Sequence, residues 1–440
     1  MKRFINCAFK IIFSRTLFII LMILVQLAVL CFGFTKLGES FSYITEGMSL
    51  LGALLVIFIV NRDGAPEFKM TWCILICLLP VFGALIYLFV ELNLGGIGLK
   101  ARTYVRLKET EGLLLTTERT KKAVAGSQAD FRGFARYMEG TVGFPAYQGS
   151  EAVYYPSGED KFKDLLKELQ KAERFIFLEY FIMERGIMWN AILDILKEKV
   201  KQGVEVRVMY DGMCSIMLLP YGYPSELEKY GIKAKMFAPI RPFLSTNQNN
   251  RDHRKIVVID GKVAFTGGVN LADEYINEKE VYGHWKDTAV KITGEAVRSF
   301  TVMYLQMWHV SENGAADEYE KYLQNIVFDK PLKDDGFVIP YGEMPTVPTE
   351  VAKTVYESLF NTAKKYVHVM TPYFIVEQEF FDTMRYAAQR GVEVKMILPH
   401  IPDKKIVYYI ARNYYPKLLE AGIQVYEYTP GFVHAKVFVV

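Results

Sequence analysis

One unit of alternating helices and strands occurs twice in this chain, and that tandem repeat limits the possible folds more than any other feature. By hydrophobic periodicity, each copy reads as helix, buried strand, helix and buried strand. These elements are predicted at 162–172, 174–183, 191–202 and 204–210 in the first copy, and at 351–365, 367–374, 380–389 and 392–398 in the second. A weaker helix and strand follow in each copy, within 227–237 and 418–428. Alternation of this kind predicts an α/β fold.

A short histidine motif ends each copy. The motifs are His253-Arg254-Lys255, followed by Asp260, and His434-Ala435-Lys436. In an extended strand alternate side chains share a face, so the histidine and the lysine of each motif should point the same way. If the two copies pack about a pseudo-twofold axis, two imidazoles and two ammonium groups meet at one site.

Two histidines and two lysines at one site suit a phosphodiester substrate. The lysines neutralise phosphate oxygens, and the imidazoles titrate near neutral pH. One neutral imidazole would attack phosphorus to give a phosphohistidine, while the other, protonated, would donate to the leaving alkoxide. Asp260 is expected to orient or charge-balance this set. The predicted catalytic groups are therefore His253, Lys255, Asp260, His434 and Lys436, with no metal ion and no cofactor required.

Four further residues are candidates for substrate binding. Arg251 and Arg254 are placed to contact a substrate phosphate, although arginines beside a strand are as often merely solvated. Glu179 lies within an apolar strand, where an unpaired carboxylate is costly to bury, so a role in the site or a buried ion pair is expected. Asn270 follows two glycines that permit close backbone approach, and its amide can bond the site.

The first hundred residues are far more apolar than the rest of the chain. Residues 17–34 and 70–90 are each long enough to cross a bilayer as a helix, and 41–60 is a further candidate that contains Glu46. A secretory signal peptide is the less favoured interpretation of the first segment, because no small-x-small cleavage site follows it. We therefore expect an α-helical membrane domain at 1–100 with two to three spans, in a multi-pass protein of the cell membrane.

The remaining domain boundaries follow from composition and from the repeat. Residues 101–149 are polar and are predicted to be a linker, and the two α/β domains are expected at 150–330 and 331–440. The net charge of +3 lacks the strong basic excess of a dedicated nucleic-acid binder, so no nucleic-acid partner is expected. The 5 cysteines, mostly in or beside the apolar segments, predict no disulfide framework.

The motifs resemble those of the phospholipase D superfamily. Its HKD motif is matched by His253, Lys255, Asp260, Gly267 and Asn270, with Gly268 where many members have serine. More narrowly, the chain is similar to bacterial cardiolipin synthases, on the strength of Leu178-Glu179-Tyr180-Phe181, Tyr210-Asp211-Gly212, His284-Trp285-x-Asp287, Thr371-Pro372-Tyr373-Phe374 and Leu79-Pro80-Val81-Phe82-Gly83. The resemblance implies two tandem phospholipase D-like αβα repeats that share a pseudo-twofold active site.

The resemblance also implies a reaction, in which two phosphatidylglycerol molecules yield cardiolipin and glycerol. Phosphatidylglycerol and membrane lipid are then the partners. His253 is implied as the nucleophile and His434 as general acid and then general base, and the reverse assignment stays open. Hydrolysis by water, transfer to another alcohol, nuclease activity and a non-catalytic membrane scaffold are the alternatives.

The second histidine motif is incomplete in the printed sequence. By comparison with the first, its aspartate would come directly after Val440. We expect the carboxyl-terminal repeat to be truncated within its HKD motif, and a chain ending there to have impaired activity because the second lysine and histidine would lie on an unsupported edge strand.

Overall fold

Two compact units make up the described chain. The computed structural model describes residues 24, 38–64, 66–91, 94–214, 218–239, 251–310, 319–328, 335–343 and 350–440. The first unit contains the described residues up to 99, and the second contains those from 100 onward. Both copies of the α/β repeat therefore belong to a single unit, and that unit positions the candidate site.

The first unit is helical. Its helices are α1 (Gly38–Asn61), α2 (Pro66–Leu78) and α3 (Pro80–Glu91). Ile59, Ile76 and Tyr87 form a small buried core, one residue from each helix. A side chain at Gly83 would place its Cβ 2.7 Å from the Cα of Ile76, so the absence of one lets α3 approach α2 closely.

The apolar segment 70–90 is not one continuous helix. The rings of Trp72 and Tyr87 lie 5.4 Å apart, whereas fifteen residues of straight α-helix would separate them by about 22 Å. The chain folds back at Pro80, which lacks the N–H that a helix interior needs and disfavours the helical conformation of the residue before it. The prediction of a single membrane span at 70–90 is therefore wrong.

Among the described residues, no helix combines the length and the apolar character needed to cross a bilayer. The predicted span at 41–60 falls within helix α1, which is included in that finding. The predicted span at 17–34 lies outside the described residues, apart from Leu24. The expectation of a multi-pass membrane domain thus gains no support from the part of the chain that the structure describes.

Residues 101–149 are helical rather than a linker. This stretch contains most of α4 (Leu94–Glu109), then α5 (Glu118–Ala125), α6 (Ala129–Tyr137) and a π-helical turn (Met138–Val142). Gln306 donates to the hydroxyl of Thr110 at 2.6 Å, and Arg298 donates to the carbonyl of Leu113 at 2.6 Å. The linker prediction is wrong, because the polar composition belongs to short helices with one face packed against the first repeat.

The first repeat is built on a seven-stranded mixed sheet with the order β1-β8-β6-β5-β2-β3-β4. The strands of this part of the chain are β1 (Ser150–Tyr155), β2 (Phe175–Tyr180), β3 (Glu205–Asp211), β4 (Lys233–Phe237), β5 (Lys255–Ile259), β6 (Val263–Gly267), β7 (His284–Lys286) and β8 (Ala289–Gly294). Its helices are α7 (Gly158–Lys171), α8 (Ile187–Lys201), α9 (Tyr223–Glu228), α10 (Val297–Val310) and α11 (Tyr319–Leu323). All of β2 is buried, as expected for a central strand with helices on both faces.

The second repeat copies part of that sheet in four strands, in the order β11-β10-β9-β13. Its strands are β9 (Tyr366–Met370), β10 (Glu393–Pro399), β11 (Gln424–Tyr428), β12 (Gly431–Val433) and β13 (Val437–Val439), and its helices are α12 (Val351–Thr362), α13 (Gln378–Gln389), α14 (Lys405–Asn413) and α15 (Tyr415–Glu420). From β11 to β13, two parallel pairings are followed by one antiparallel pairing. The strands β4-β3-β2-β5 of the first repeat are paired in the same order. The predicted tandem α/β repeat is confirmed, with element ends displaced by a few residues.

A two-stranded parallel sheet joins the repeats. Strand β7 of the first repeat pairs with β12 of the second, with Trp285 opposite Phe432. The two strands lie so close together that a side chain at Gly431 would place its Cβ 2.3 Å from the carbonyl oxygen of His284. This small sheet carries the second histidine motif to the first repeat, because His434 follows β12 directly.

Asp260 stabilises the fold and lies away from the histidines. It follows β5, five residues beyond Lys255, which corresponds to about 16 Å of extended strand. Its carboxylate accepts hydrogen bonds of 2.8 Å from the backbone N–H groups of Glu173, Arg174 and Phe175. The prediction that Asp260 orients the catalytic set is therefore wrong, since its acceptor capacity is used to hold the start of β2.

We expect Asp260→Ala to lower the free energy of unfolding by about 3–6 kcal/mol, because three buried or half-buried N–H groups lose a charged acceptor. The φ of +55° at this position adds strain for alanine. Asp260→Asn, which tolerates that backbone conformation and keeps one oxygen, should cost about half as much. Urea unfolding of the three proteins measures this, and an alanine variant within about 1 kcal/mol of the parent would contradict the assignment.

Candidate active site

His253 lies in an irregular segment that leads into β5, rather than in the strand itself. The buried carboxylate of Asp211, at the end of β3, accepts from the backbone N–H of Asp252 at 2.8 Å and from Arg251 at 3.2 Å. Asp252 in turn accepts from the N–H of Arg254 at 3.2 Å. These bonds fix the segment on both sides of the histidine.

The first histidine and lysine form a compact pair. Lys255 turns back so that its ammonium donates to the carbonyl of His253 at 2.6 Å. The ring of Phe181 packs on both, with its centroid 4.7 Å from the imidazole and 5.5 Å from the ammonium. Lys255 is buried, while His253 is exposed where a substrate can reach it.

The second pair repeats this geometry. Lys436 donates to the carbonyl of His434 at 2.6 Å, and its ammonium lies 3.3 Å from the Nε2 of the same histidine. Each lysine is thus folded back onto its own histidine, although His434 and Lys436 lie between β12 and β13 rather than on one face of a strand. The backbone N–H of His434 donates to the carbonyl of Lys286 at 2.8 Å, which extends the sheet between β7 and β12.

Asp287 is the carboxylate that holds the second histidine. Its Oδ2 accepts from the Nδ1 of His434 at 2.7 Å, and its Oδ1 accepts from the backbone N–H of Thr288 at 2.7 Å. Asp287 is completely buried. Gly268 makes room for it, since a Cβ there would lie 2.0 Å from Oδ1. Because Asp287 occupies the Nδ1 of His434, the other ring nitrogen, Nε2, is the one that can act on a substrate in the cleft.

The electrostatics indicate that the two motifs meet at one place. Partial burial and then the positive charges of Lys255 and Lys436 lower the pKa of His253 to about 3. Burial and the charge of Lys436 lower the pKa of Lys255 to about 7. Lys436 is more exposed, and desolvation lowers its pKa to about 8. A cluster of cations that destabilise one another favours the binding of an anion, because a phosphate would relieve the repulsion.

The two histidines have different surroundings. For His434, burial lowers the pKa, but the hydrogen bond to Asp287 opposes that shift. His253 has a neighbouring aromatic ring and cations, and no carboxylate is hydrogen-bonded to its ring within the described residues. At neutral pH the ring of His253 is therefore neutral, whereas the hydrogen bond to Asp287 favours the protonated form of His434.

Asn270 and Glu179 are buried, and their contacts are with other residues of the protein. The amide of Asn270 is buried and bonds the backbone N–H of Ile182 and the hydroxyl of Tyr275, whose ring meets His434 edge-on at 5.4 Å. Glu179 is completely buried and has an ionic contact of 3.8 Å with Arg254. The predicted alternative of a buried ion pair is thus the one present, and Asn270 supports the histidine indirectly.

Glu179 and Asp252 form a pair of buried acids behind His253. Burial raises the pKa of Glu179 well above its ordinary value, and the nearby charge of Asp252 raises it further. Burial likewise raises the pKa of Asp252. Burial thus favours the neutral form of both carboxyl groups, and the positive charge of Arg254 opposes that shift at each of them.

A cavity of about 790 Å³ opens beside His253. Its polar wall includes Arg251 and Arg254, whose guanidinium groups also bond protein oxygens. The lining also includes the apolar or aromatic side chains Met307, Tyr356, Ile375, Val376 and Phe380, together with the charged residues Glu343, Glu350, Lys353 and Glu377. The two arginines thus border a space that a large amphipathic substrate can enter, and their contact with a phosphate stays a prediction.

Sequence reasoning missed two buried polar residues at the site. Asp287 belongs to the His284-Trp285-x-Asp287 motif, and that pattern alone indicates no role for its carboxylate. Lys161 is buried on α7, donates to the hydroxyl of Tyr180 at 2.9 Å, and has a pKa lowered to about 7 by burial. Its signal was its spacing of four and eight residues from Leu165 and Leu169, which puts a lysine on the apolar face of a helix.

The chain matches known protein families over most of its length. The family described as "Cardiolipin synthase, PLD-like domain" matches residues 165–308 and 356–440, and the one described as "Phospholipase D-nuclease N-terminal" matches 50–91. A cardiolipin synthase of Alkalihalophilus pseudofirmus is 35% identical over 403 residues, covering 89% of this chain and 77% of that protein. One of Geobacillus kaustophilus is 34% identical over 400 residues, with coverage of 89% and 77%. An uncharacterized protein of Streptococcus mutans is 45% identical over 384 residues, with coverage of 87% and 82%.

Proposed function

This chain belongs to the cardiolipin synthase family of phospholipase D-like proteins, and we propose that it is a phosphatidyltransferase that joins two phosphatidylglycerols into cardiolipin and releases glycerol. The observation that carries this proposal is the anion site formed by two histidine and lysine pairs beside a large, partly apolar cavity. Both substrates are lipids, so we propose that the protein acts at a phospholipid surface.

In the first step, a ring nitrogen of His253 attacks the phosphorus of one phosphatidylglycerol. The bond between phosphorus and the head-group glycerol oxygen breaks, and His434 gives a proton to that oxygen, so that glycerol leaves. Lys255 and Lys436 balance the charge on the phosphate oxygens. The product of this step is a phosphatidyl group bound to His253.

In the second step, a hydroxyl of another phosphatidylglycerol attacks the same phosphorus. His434 takes the proton of that hydroxyl, the bond to His253 breaks, and cardiolipin forms. The hydrogen bond from His434 to Asp287 supports these roles, because it stabilises the imidazolium and fixes the ring through both proton transfers. The low pKa of His253 keeps the nucleophile unprotonated.

The products formed from phosphatidylglycerol test this function. The purified protein, incubated with phosphatidylglycerol vesicles, should release one glycerol for each cardiolipin. Phosphatidic acid as the dominant product would identify a hydrolase of the same family instead. Absence of both products would refute a catalytic role on this lipid and favour the non-catalytic scaffold.

We predict that kcat/KM for cardiolipin formation falls on the alkaline side of about pH 7–8. A lysine carries its charge below its pKa, and the pKa values of Lys255 and Lys436 are lowered to about 7 and about 8, so rising pH removes the charges that bind the phosphate. A pH profile on phosphatidylglycerol micelles measures this. An active Lys255→Arg variant should keep its rate to higher pH, because the group with the lower pKa no longer loses its charge, and a parent profile that stays flat to pH 10 would contradict the prediction.

A further inference from the structure

A synthase that joins two phosphatidylglycerols, as proposed above, must hold two phosphates at once. The two histidine and lysine pairs surround the phosphate that is transferred. The acceptor lipid brings its own phosphodiester, which the product carries at the other end of a three-carbon glycerol. A further cation beside the site would stabilise that second phosphate, and its assignment rests on the proposed function.

Lys404 is held at this position by two neighbours from the second repeat. It donates to the hydroxyl of Tyr373 at 3.0 Å and lies 3.6 Å from a carboxylate oxygen of Asp403. Tyr373 in turn donates to that carboxylate at 2.5 Å. Tyr373 follows β9 and the other two follow β10, so the three residues gather where neighbouring parallel strands end.

The cluster lies against the histidine site. The ring of Tyr373 is 6.5 Å from that of Phe432, and Phe432 is 6.1 Å from the ring of His434. The pKa of His253 is lowered mainly by burial and by the charged groups of the two motifs, and the charge of Lys404 adds a smaller effect in the same direction. The pKa of Lys436, lowered first by desolvation, responds to Asp403 and to Lys404 in opposite directions. Lys404 is thus close to both pairs without belonging to either.

The ammonium of Lys404 is available to a ligand. Its side chain is 62% exposed, in contrast to 18% for Asp403. An ammonium has three N–H groups, and one of them is used on Tyr373. Lys353, another lysine near the cleft, is bound to Glu377 and Glu379 at 2.5 and 3.1 Å, so two carboxylates already cancel its charge.

We propose that Lys404, positioned by Tyr373 and Asp403, binds the phosphate of the acceptor phosphatidylglycerol. The residue would then select for an acceptor that carries a phosphodiester next to its attacking hydroxyl. Water and free glycerol carry no such group, and they reach the phosphohistidine without this contact. Lys404 therefore favours transfer to lipid over the competing acceptors.

Two assays on the same protein separate acceptor binding from the chemistry that all acceptors share. One measures cardiolipin formed from phosphatidylglycerol vesicles. The other measures incorporation of isotopically labelled glycerol into phosphatidylglycerol, in which a neutral alcohol takes the phosphatidyl group from the histidine. The informative quantity is the ratio of the first rate to the second.

In Lys404→Ala this ratio should fall by about 10- to 100-fold, as expected for the loss of one charge-assisted hydrogen bond. Lys404→Arg should restore it to within about threefold of the parent, and Tyr373→Phe, which keeps the ring but frees the ammonium, should lower it by less. Lys405→Ala, at the exposed neighbouring position, is the matched control and should leave it unchanged.

Equal losses in both assays for Lys404→Ala would overturn the proposal, since they would assign the residue to the shared chemistry. An unchanged ratio with both rates intact would overturn it as well. A parent protein that exchanges glycerol but forms no cardiolipin, or does neither, would instead refute the proposed function. The two failures are therefore distinguishable.

Discussion

His253→Ala should lower cardiolipin formation by at least about 10³-fold, because it removes the atom that carries the phosphatidyl group between donor and acceptor. The loss should extend to labelled-glycerol exchange, which uses the same intermediate. His253 is exposed and makes no hydrogen bond through its ring within the described residues, so the variant should fold normally. Initial rates on phosphatidylglycerol vesicles measure the effect, with a melting curve recorded beside them.

His400→Ala is the matched control for that variant. His400 is also half exposed, its Nδ1 bonds Glu427 at 2.8 Å, and it belongs to neither motif. We expect its activity to stay within about twofold of the parent, as for ordinary surface substitutions. If His253→Ala retained a tenth or more of the parent rate, the nucleophile would have to be another residue.

Asp287→Asn should lower the rate of cardiolipin formation by about 10²- to 10⁴-fold while changing the fold little. The change replaces the carboxylate that accepts from Nδ1 of His434 with an amide, whose NH2 group can donate to Nδ1 instead and so favour the other tautomer. Loss of the carboxylate from a histidine and aspartate pair in other enzymes has an effect of this size. Both the protonation of leaving glycerol and the activation of the acceptor hydroxyl depend on this histidine. kcat should therefore fall more than KM rises.

Asp164→Asn is a suitable control for the carboxylate substitution. Asp164 is also an ion-paired acid, 2.6 Å from Lys291, but it lies on α7 away from the histidines. We expect that variant to keep most of its activity and to lose some stability. A fall of less than about fivefold in Asp287→Asn would show that the bond to His434 contributes little to the reaction.

The repeat and the paired histidines could be predicted from the sequence because both depend on local patterns. Periodicity placed the helices and strands of both copies, and the equal spacing of the two motifs indicated that each histidine has its own lysine. The relation between the copies is less local. The contact of Asp287 with His434 depends on the pairing of β7 with β12, three-residue strands far apart in sequence, and no pattern within either strand indicates its partner.

Asp260 illustrates a motif position whose role cannot be inferred from spacing. Its distance along the chain suits a catalytic neighbour, but the strand between it and Lys255 is extended and carries it to the far end of the sheet. The prediction of a single membrane span at 70–90 was wrong for a related reason. Hydropathy reports how apolar the residues are, but it does not report whether they form one helix or two. Pro80 interrupts the helix, and the two halves pack against each other.

The phosphorus-labelled intermediate gives the most direct test of a two-histidine phosphatidyltransferase. The protein would be mixed with phosphatidylglycerol labelled at phosphorus, denatured with alkali within the first turnovers, and digested for mass spectrometry. We predict an acid-labile, alkali-stable phosphoramidate on the peptide containing His253, absent in His253→Ala and chased into cardiolipin when unlabelled phosphatidylglycerol is added. Turnover to cardiolipin with no labelled protein at any quench time, or with the label only on His434, would contradict the assignment.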